Sequence, residues 1–296
     1  MMQTTPRRRP GLTLIELLVI IGIILILAAL TTSASIQVIS SQQQKNSELT
    51  VKKVSEAVNQ AWRAVIDQAK EEQVPASVLS MAGNDPRRAR IIYIKLRLKQ
   101  EFPMSFTDIT TQGPGDLPPL PAYQAALGSY NPATSPWAAV DPLTGQTRSQ
   151  TGACLYLSLK RNRRGVGFDV DTALSSKEVA EPFSDRIKEI VDSRGRPLGF
   201  YRWPYGNTDL NPGGPQSGQN DPEDIEGLLT SPNWTGSSGA TTFQNLVHPV
   251  AANSSYKLKP VVVGTGKNGK LGLNPNSMAV TNANDANDNI YSFDLR

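Results

Sequence analysis

Apolar residues fill nearly every position from Leu12 to Leu30, interrupted by Thr13, Glu16 and Gly22. A helix that is apolar on every side belongs in lipid or among other apolar helices. These 19 residues approach the roughly 20 that cross a bilayer at about 1.5 Å of rise each. Beyond Ser35 the pattern turns amphipathic. Val51, Val54, Val58, Ala61, Trp62, Val65 and Ala69 recur at intervals of three and four, which is one stripe of a helix. Glu48 and Lys52 stand four apart in the favourable order. No proline occurs between Pro10 and Pro75, so the expectation is one helix from about Leu12 to about Gln73. Two helices, broken near Thr31-Thr32-Ser33 or across Ser40–Gln44, would give the same architecture. On this stripe Trp62 is expected to anchor a core.

The later pattern is mixed. Asp85-Pro86 predicts a helix start, because Asp offers an N-cap acceptor and proline suits the first helical position. That helix runs from Arg87 to Phe102, although alternation of Ile92, Ile94, Leu96 and Leu98 keeps a strand as the other reading. Residues 111–145 hold seven prolines and predict a long loop. Thr151 to Leu159 predicts a helix with Cys154 buried in it, and Arg161 to Arg164 a solvated helix end. Ile187–Val191 and Leu198–Trp203 predict two strands of a hairpin around the polar Asp192–Pro197. Residues 204–240, with five prolines, predict a surface loop of the kind that carries partner contacts. Lys259–Val263 predicts a strand, and Ile290–Phe293 a last apolar segment. The class is α+β: a long N-terminal helix packed on a small antiparallel sheet, with extra helices and long loops. Its divisions are residues 1–11, a membrane-spanning half-helix 12–36, an amphipathic half-helix 37–75, and a globular body 76–296.

Composition narrows the functions. Glycine and proline number 23 and 22 in 296 residues, which suits long loops in a folded chain rather than wholesale disorder. The net charge is +4, and Arg7, Arg8 and Arg9 supply three of those charges. Without the first eleven residues, 27 basic side chains face 26 acidic ones. A body so close to neutral does not offer a nucleic-acid surface. The single cysteine, Cys154, excludes an internal disulfide, and the single histidine, His248, excludes a His-rich metal site. A His–Cys pair would require those two residues to meet in space. No Gly-x-Ser-x-Gly elbow, phosphate loop or His-Glu-x-x-His motif occurs, so no catalytic residue is assigned and an enzyme is not expected.

The arginines before the apolar run orient it, since positive flanks stay cytoplasmic. The amino terminus is expected inside and the body outside. An ordinary secretory signal has an apolar core of about 7–15 residues and a small-residue cleavage site. Here the apolar run is longer, and Thr32-Ser33-Ala34 is a poor cleavage site. A plain anchor leaves Glu16 unexplained, because a carboxylate costs on the order of 2.5–3.5 kcal/mol at the bilayer centre and less towards an end. Such a charge calls for a partner.

The run Arg9-Pro10-Gly11-Leu12-Thr13-Leu14-Ile15-Glu16-Leu17-Leu18-Val19-Ile20 resembles the processing motif of type IV prepilins and type II secretion pseudoprepilins. The resemblance implies cleavage between Gly11 and Leu12 by the membrane-bound prepilin peptidase, and N-methylation of Leu12 by the same enzyme. Leu12 stands where the family usually has Phe. Glu16 becomes the fifth residue of the mature chain, which is its usual place. Cleavage leaves a cationic amine at Leu12, and a carboxylate attracts it strongly at low dielectric. Each charge is expensive alone, so pairing favours helices packed side by side. The resemblance gives Glu16 the role of recruiting subunits into a filament. The implied partners are prepilin peptidase, other pilin or pseudopilin subunits and the inner membrane, with a single span and a periplasmic or extracellular body.

Two weaker likenesses lie further on. Asp192-x-x-Gly195-x-Pro197 is similar to a segment entering the sheet of pseudopilins. The tail is similar to that of major type II secretion pseudopilins, where a strand leads into a loop that can hold calcium. Carried over, Asp285 and Asp288 are the carboxylate ligands and Asn268 an amide ligand, standing where the family often has Asp. Calcium takes about six to eight oxygens. Turns that need positive φ account for the same Asn and Gly without any ion. Together the likenesses imply a structural subunit of a type II secretion pseudopilus. A type IV pilus or competence pilin, or a membrane-anchored binding or enzymatic domain, are the alternatives.

Overall fold

The computed structural model describes residues 14–128, 150–163, 165–181, 187–210, 221–247, 259–275 and 277–295. The chain divides into two compact units, Met1–Lys45 and Asn46–Arg296. Helix α1 spans Leu14–Glu71 as one element, in keeping with the lack of proline.

In the second unit α1 buries the anticipated stripe. Val51, Val54, Val58, Ala61, Val65 and Ala69 are fully enclosed, and Ala57 and Ile66 join them. The Trp62 ring lies 5.1 Å from that of Phe102, which lies 6.3 Å from Phe200. These aromatics link α1, the end of the third helix and the sheet. After α2 (Ala76–Met81) comes α3 (Pro86–Glu101), whose N-cap Asp85 accepts from the Arg87 and Arg88 N–H at 2.9 and 3.2 Å. The helical reading of this segment is therefore correct and the strand reading is not. Short helices α4 (Phe106–Thr110) and α5 (Pro121–Leu127) follow, so the proline-rich stretch from residue 111 is not wholly loop. Pro121 starts α5 where proline is tolerated. Helix α6 (Thr151–Lys160) is buried almost all round, Cys154 included, and α7 is Val170–Ala173.

Strands β1 (Val179–Ala180) and β2 (Glu189–Ile190) form one antiparallel pair. Strands β3 (Gly199–Tyr201), β4 (Val261–Gly264) and β5 (Ile290–Tyr291) form an antiparallel sheet in that order, with Phe200 opposite Val262 and Gly264 opposite Ile290. The expected hairpin needs correction. Its turn closes with a single bridge between Val191 and Pro197, and then the two arms join different sheets. Pro197 has no N–H to extend a ladder, and each arm finds a longer-range partner.

The three-stranded sheet is buried on both faces. Phe200 and Val262 point into the main core with α1, α3 and α6. Tyr201, Val261 and Val263 point the other way, where Leu273, Met278 and Ala286 cover them in a second, smaller core. This is the period-two alternation of a strand. Gly264 ends β4 against α1, because a Cβ there would come within 3.0 Å of a Val51 methyl.

Two surface expectations are overturned. The stretch 204–240 is not simply a surface loop. Asp221, Asp224, Leu229 and Trp234 are buried, a 3-10 turn forms at Leu228–Thr230, and α8 (Ser238–Val247) begins inside the stretch. Nor is the arginine run only a solvated helix end. Arg163 donates to the buried Glu101 carboxylate at 2.9 Å, and Arg161 reaches it at 3.1 Å. A buried carboxylate is costly unless paired, and Glu101 draws these guanidiniums inward. Arg164 and His248 lie outside the described residues, as do Gly11 and Leu12.

Candidate functional site

Glu16 sits in the first turn of α1. A carboxylate there suits the partial positive charge of the helix N-terminus. Around it the apolar side chains are open: Leu14 is 82% exposed, Ile15 70% and Leu18 64%. Exposure continues on all sides through Leu27. So large an apolar surface marks a contact with lipid or protein rather than with water. Among the described residues no helix is long and apolar enough to cross a membrane.

Where α1 meets the body, the docking is polar as well as apolar. Thr50 and Lys53 donate to the Glu178 carboxylate at 3.0 and 3.2 Å, and Ser175 caps it through both N–H and hydroxyl. Burial pushes Glu178 up, but these donors outweigh it and hold the carboxyl below its ordinary value. Ser47 on α1 shares a 2.8 Å hydrogen bond with Ser193, in the turn between β2 and β3.

That turn explains the Asp-x-x-Gly-x-Pro spacing. The buried Asp192 carboxylate accepts from the Arg194 and Arg196 N–H at 2.8 and 3.0 Å, and from the Thr265 hydroxyl at 3.3 Å. Gly195 takes φ of +76°, which costs a side chain dearly and glycine little. Arg196 then extends across to the Gly266 and Lys267 carbonyls at 2.8 and 3.3 Å.

The structure brings Asn268, Asp285 and Asp288 together. The Asn268 N–H donates to Asp288 Oδ2 at 3.0 Å, and the Asn268 carboxamide nitrogen donates to the Asp285 and Asn284 carbonyls at 3.1 and 3.4 Å. Its Oδ1 accepts from the Lys270 N–H at 2.8 Å. Reversing the amide would set an oxygen against two carbonyls and an NH2 against an N–H, so the network fixes its orientation. Calcium needs about six to eight oxygens. Here the Asp288 carboxylate, whose Oδ1 is buried with no hydrogen-bond partner among the described residues, and the Asp285 carboxylate are the two anionic groups, while side-chain donors already engage the Gly266, Lys267, Asn284 and Asp285 carbonyls. No group of three or more His, Cys, Asp or Glu among the described residues is placed to hold a metal. As arranged, the residues do not fit the ion. Sequence reasoning missed Arg196 and Asn289 here; Asn289 donates to the Leu271 carbonyl at 2.7 Å. Their partners lie far along the chain or in irregular backbone, and no local spacing announces them.

Cysteine chemistry finds no support. Burial pushes the Cys154 thiol well above its ordinary value, and the thiolate is the reactive form.

Residues 6–32 match the family model for the prokaryotic N-terminal methylation motif. That motif is the hallmark of the prepilin-type signal of type IV pilins and pseudopilins. The motif implies processing by prepilin peptidase and assembly with other pilin subunits. Comparison with curated proteins and with solved structures gives no match.

Proposed function

We propose that this chain is a structural subunit of a type II secretion pseudopilus. Prepilin peptidase removes residues 1–11, cutting between Gly11 and Leu12, and methylates the new amine at Leu12. The mature helix holds the protein in the inner membrane as a single span over residues 12–36, with the amino terminus cytoplasmic and the body periplasmic or extracellular. The protein assembles through that helix and catalyses no reaction. The observation that carries the reading is the combination of the methylation motif at residues 6–32 with Glu16 in the first turn of a helix whose apolar side chains stand open. An amine at Leu12 lies one helical turn from Glu16, so the same two charges can pair within a helix or between neighbours and set an axial register. Assignment to type II secretion over a type IV pilus leans on the Asp192–Pro197 turn, the strand-and-loop tail and the lone cysteine.

The test is Glu16→Ala expressed with the other subunits of the system. Processing, read by the mass of the mature amino terminus, should proceed, while filament recovery from sheared cells should collapse. Filaments at wild-type yield from this variant refute the role of Glu16.

A further inference from the structure

The sheet β3–β4–β5 would expose one face if the chain after Gly264 were not folded over it. Leu273, Met278 and Ala286 form that cover, and the segment's regular structure is short: a bridge between Leu273 and Val280, one helical turn at Ala283–Ala286, and β5. Beside backbone hydrogen bonds such as Thr281 N–H to the Gly272 carbonyl at 2.8 Å, side-chain donors tie its loops through carbonyl oxygens. Arg196 spans the Gly266 and Lys267 carbonyls, the Asn268 carboxamide spans those of Asn284 and Asp285, and Asn289 takes that of Leu271. Asp288 closes the circuit by accepting from the Asn268 N–H.

The backbone is shaped around these groups. Gly269 has φ of +77°, and a Cβ there would come within 2.7 Å of the Arg196 guanidinium carbon. A Cβ at Gly266 would collide with the Asp288 carboxylate and carbonyl. Both glycines therefore leave room for a charged side chain. A guanidinium brings a fixed positive charge and a rigid fork of donors, which does for two carbonyls what a cation would do.

We infer that this protein closes its carboxyl-terminal cover with a metal-independent clamp. In it, Arg196 and the Asn268 carboxamide occupy the carbonyl oxygens that a divalent cation would otherwise gather. The inference concerns the folding of the body and stands whichever filament the subunit joins.

The experiment uses the full processed chain in detergent. Its melting temperature and the amide exchange of residues 264–295 are followed with millimolar calcium and with excess EGTA. The wild type should exchange identically in the two and melt within about 1 °C. Arg196→Met, which keeps the stem, and Asn268→Ala should each speed exchange in residues 264–272 by roughly tenfold, equally in both buffers. The clamp is overturned if calcium raises the wild-type melting temperature by roughly 5–10 °C, the shift expected for a site held about 100-fold above its Kd. It is also overturned if EGTA speeds exchange in the loop, or if both variants exchange like wild type. Should Arg196→Met fail to fold, the wild-type comparison and Asn268→Ala still decide.

Discussion

Lys95 projects from α3 into the body with its side chain 1% exposed, and it pairs with Asp221, 4% exposed. The pair pins down a segment that would otherwise follow its Pro/Gly-rich composition to the surface. Once Asp221 is fixed, Asp224 accepts from the Leu228 and Leu229 N–H at 2.7 and 2.8 Å, and Arg88 donates to the Leu228 carbonyl at 3.1 Å. Lys95→Met keeps the aliphatic stem and removes the charge. Asp221 is left as a buried carboxylate whose other oxygen accepts the Glu223 N–H at 2.9 Å. Breaking a buried pair in this way costs about 3–5 kcal/mol. For a body of this size that is a fall in melting temperature of roughly 6–20 °C, at about 2–4 °C per kcal/mol. Replacing both partners, as Lys95→Met with Asp221→Leu, removes the uncompensated charge. It should lie within about 2 kcal/mol of wild type, the remainder being the lost Glu223 hydrogen bond. Urea unfolding followed by tryptophan fluorescence measures all four members of the cycle. The reasoning fails if Lys95→Met costs less than about 1 kcal/mol, or if the double variant costs the sum of the singles.

Three further outcomes follow from local geometry. Asp85→Ala should destabilise by about 1 kcal/mol through loss of the α3 cap, seen as a lower urea midpoint at unchanged slope. Gly195→Ala should cost on the order of 1 kcal/mol, because its φ of +76° is unfavourable for a side chain; a thermal melt at or above wild type would contradict the turn geometry. Glu178 has a folded pKa below its unfolded value. Its stabilising effect is therefore complete above the ordinary carboxylate range and is lost as pH falls through the lower folded value. Glu178→Gln should cost on the order of 1–2 kcal/mol at neutral pH and flatten the acid limb of a stability–pH curve.

What the sequence makes legible is what local physics decides. The α1 stripe follows from spacing alone, and the structure buries those positions. Asp85-Pro86 starts α3 because cap and first-turn preferences act over three residues. The Asp192–Pro197 turn was visible for the same reason, since Asp192 bonds to N–H groups two and four residues on. Both arms are strands as expected, but their partners were not visible, because pairing is settled by β1 and β4, and β4 lies about sixty residues away. Arg161 and Arg163 look like solvent-facing charges until Glu101, some sixty residues earlier, is known to be buried beside them.

The same division runs through the functional features. A peptidase that cuts at Gly11 has to recognise a stretch of chain before assembly, so its signal is contiguous, and a contiguous signal can be found from residues alone. Glu16 belongs to it by position. The tail is different. Asn268, Asp285 and Asp288 were brought together on a likeness, and the structure does gather them, but their chemistry depends on what else arrives. Arg196 comes from 70 positions earlier and takes two of the carbonyls. The Asn268 carboxamide turns its nitrogen towards two more. An Asp at position 268 could not donate there and would add negative charge beside Asp288, which is the arrangement a cation needs. On the clamp proposed above, the amide at position 268 makes the loop a hydrogen-bonded clasp rather than a ligand set, and Arg196 completes it without an ion.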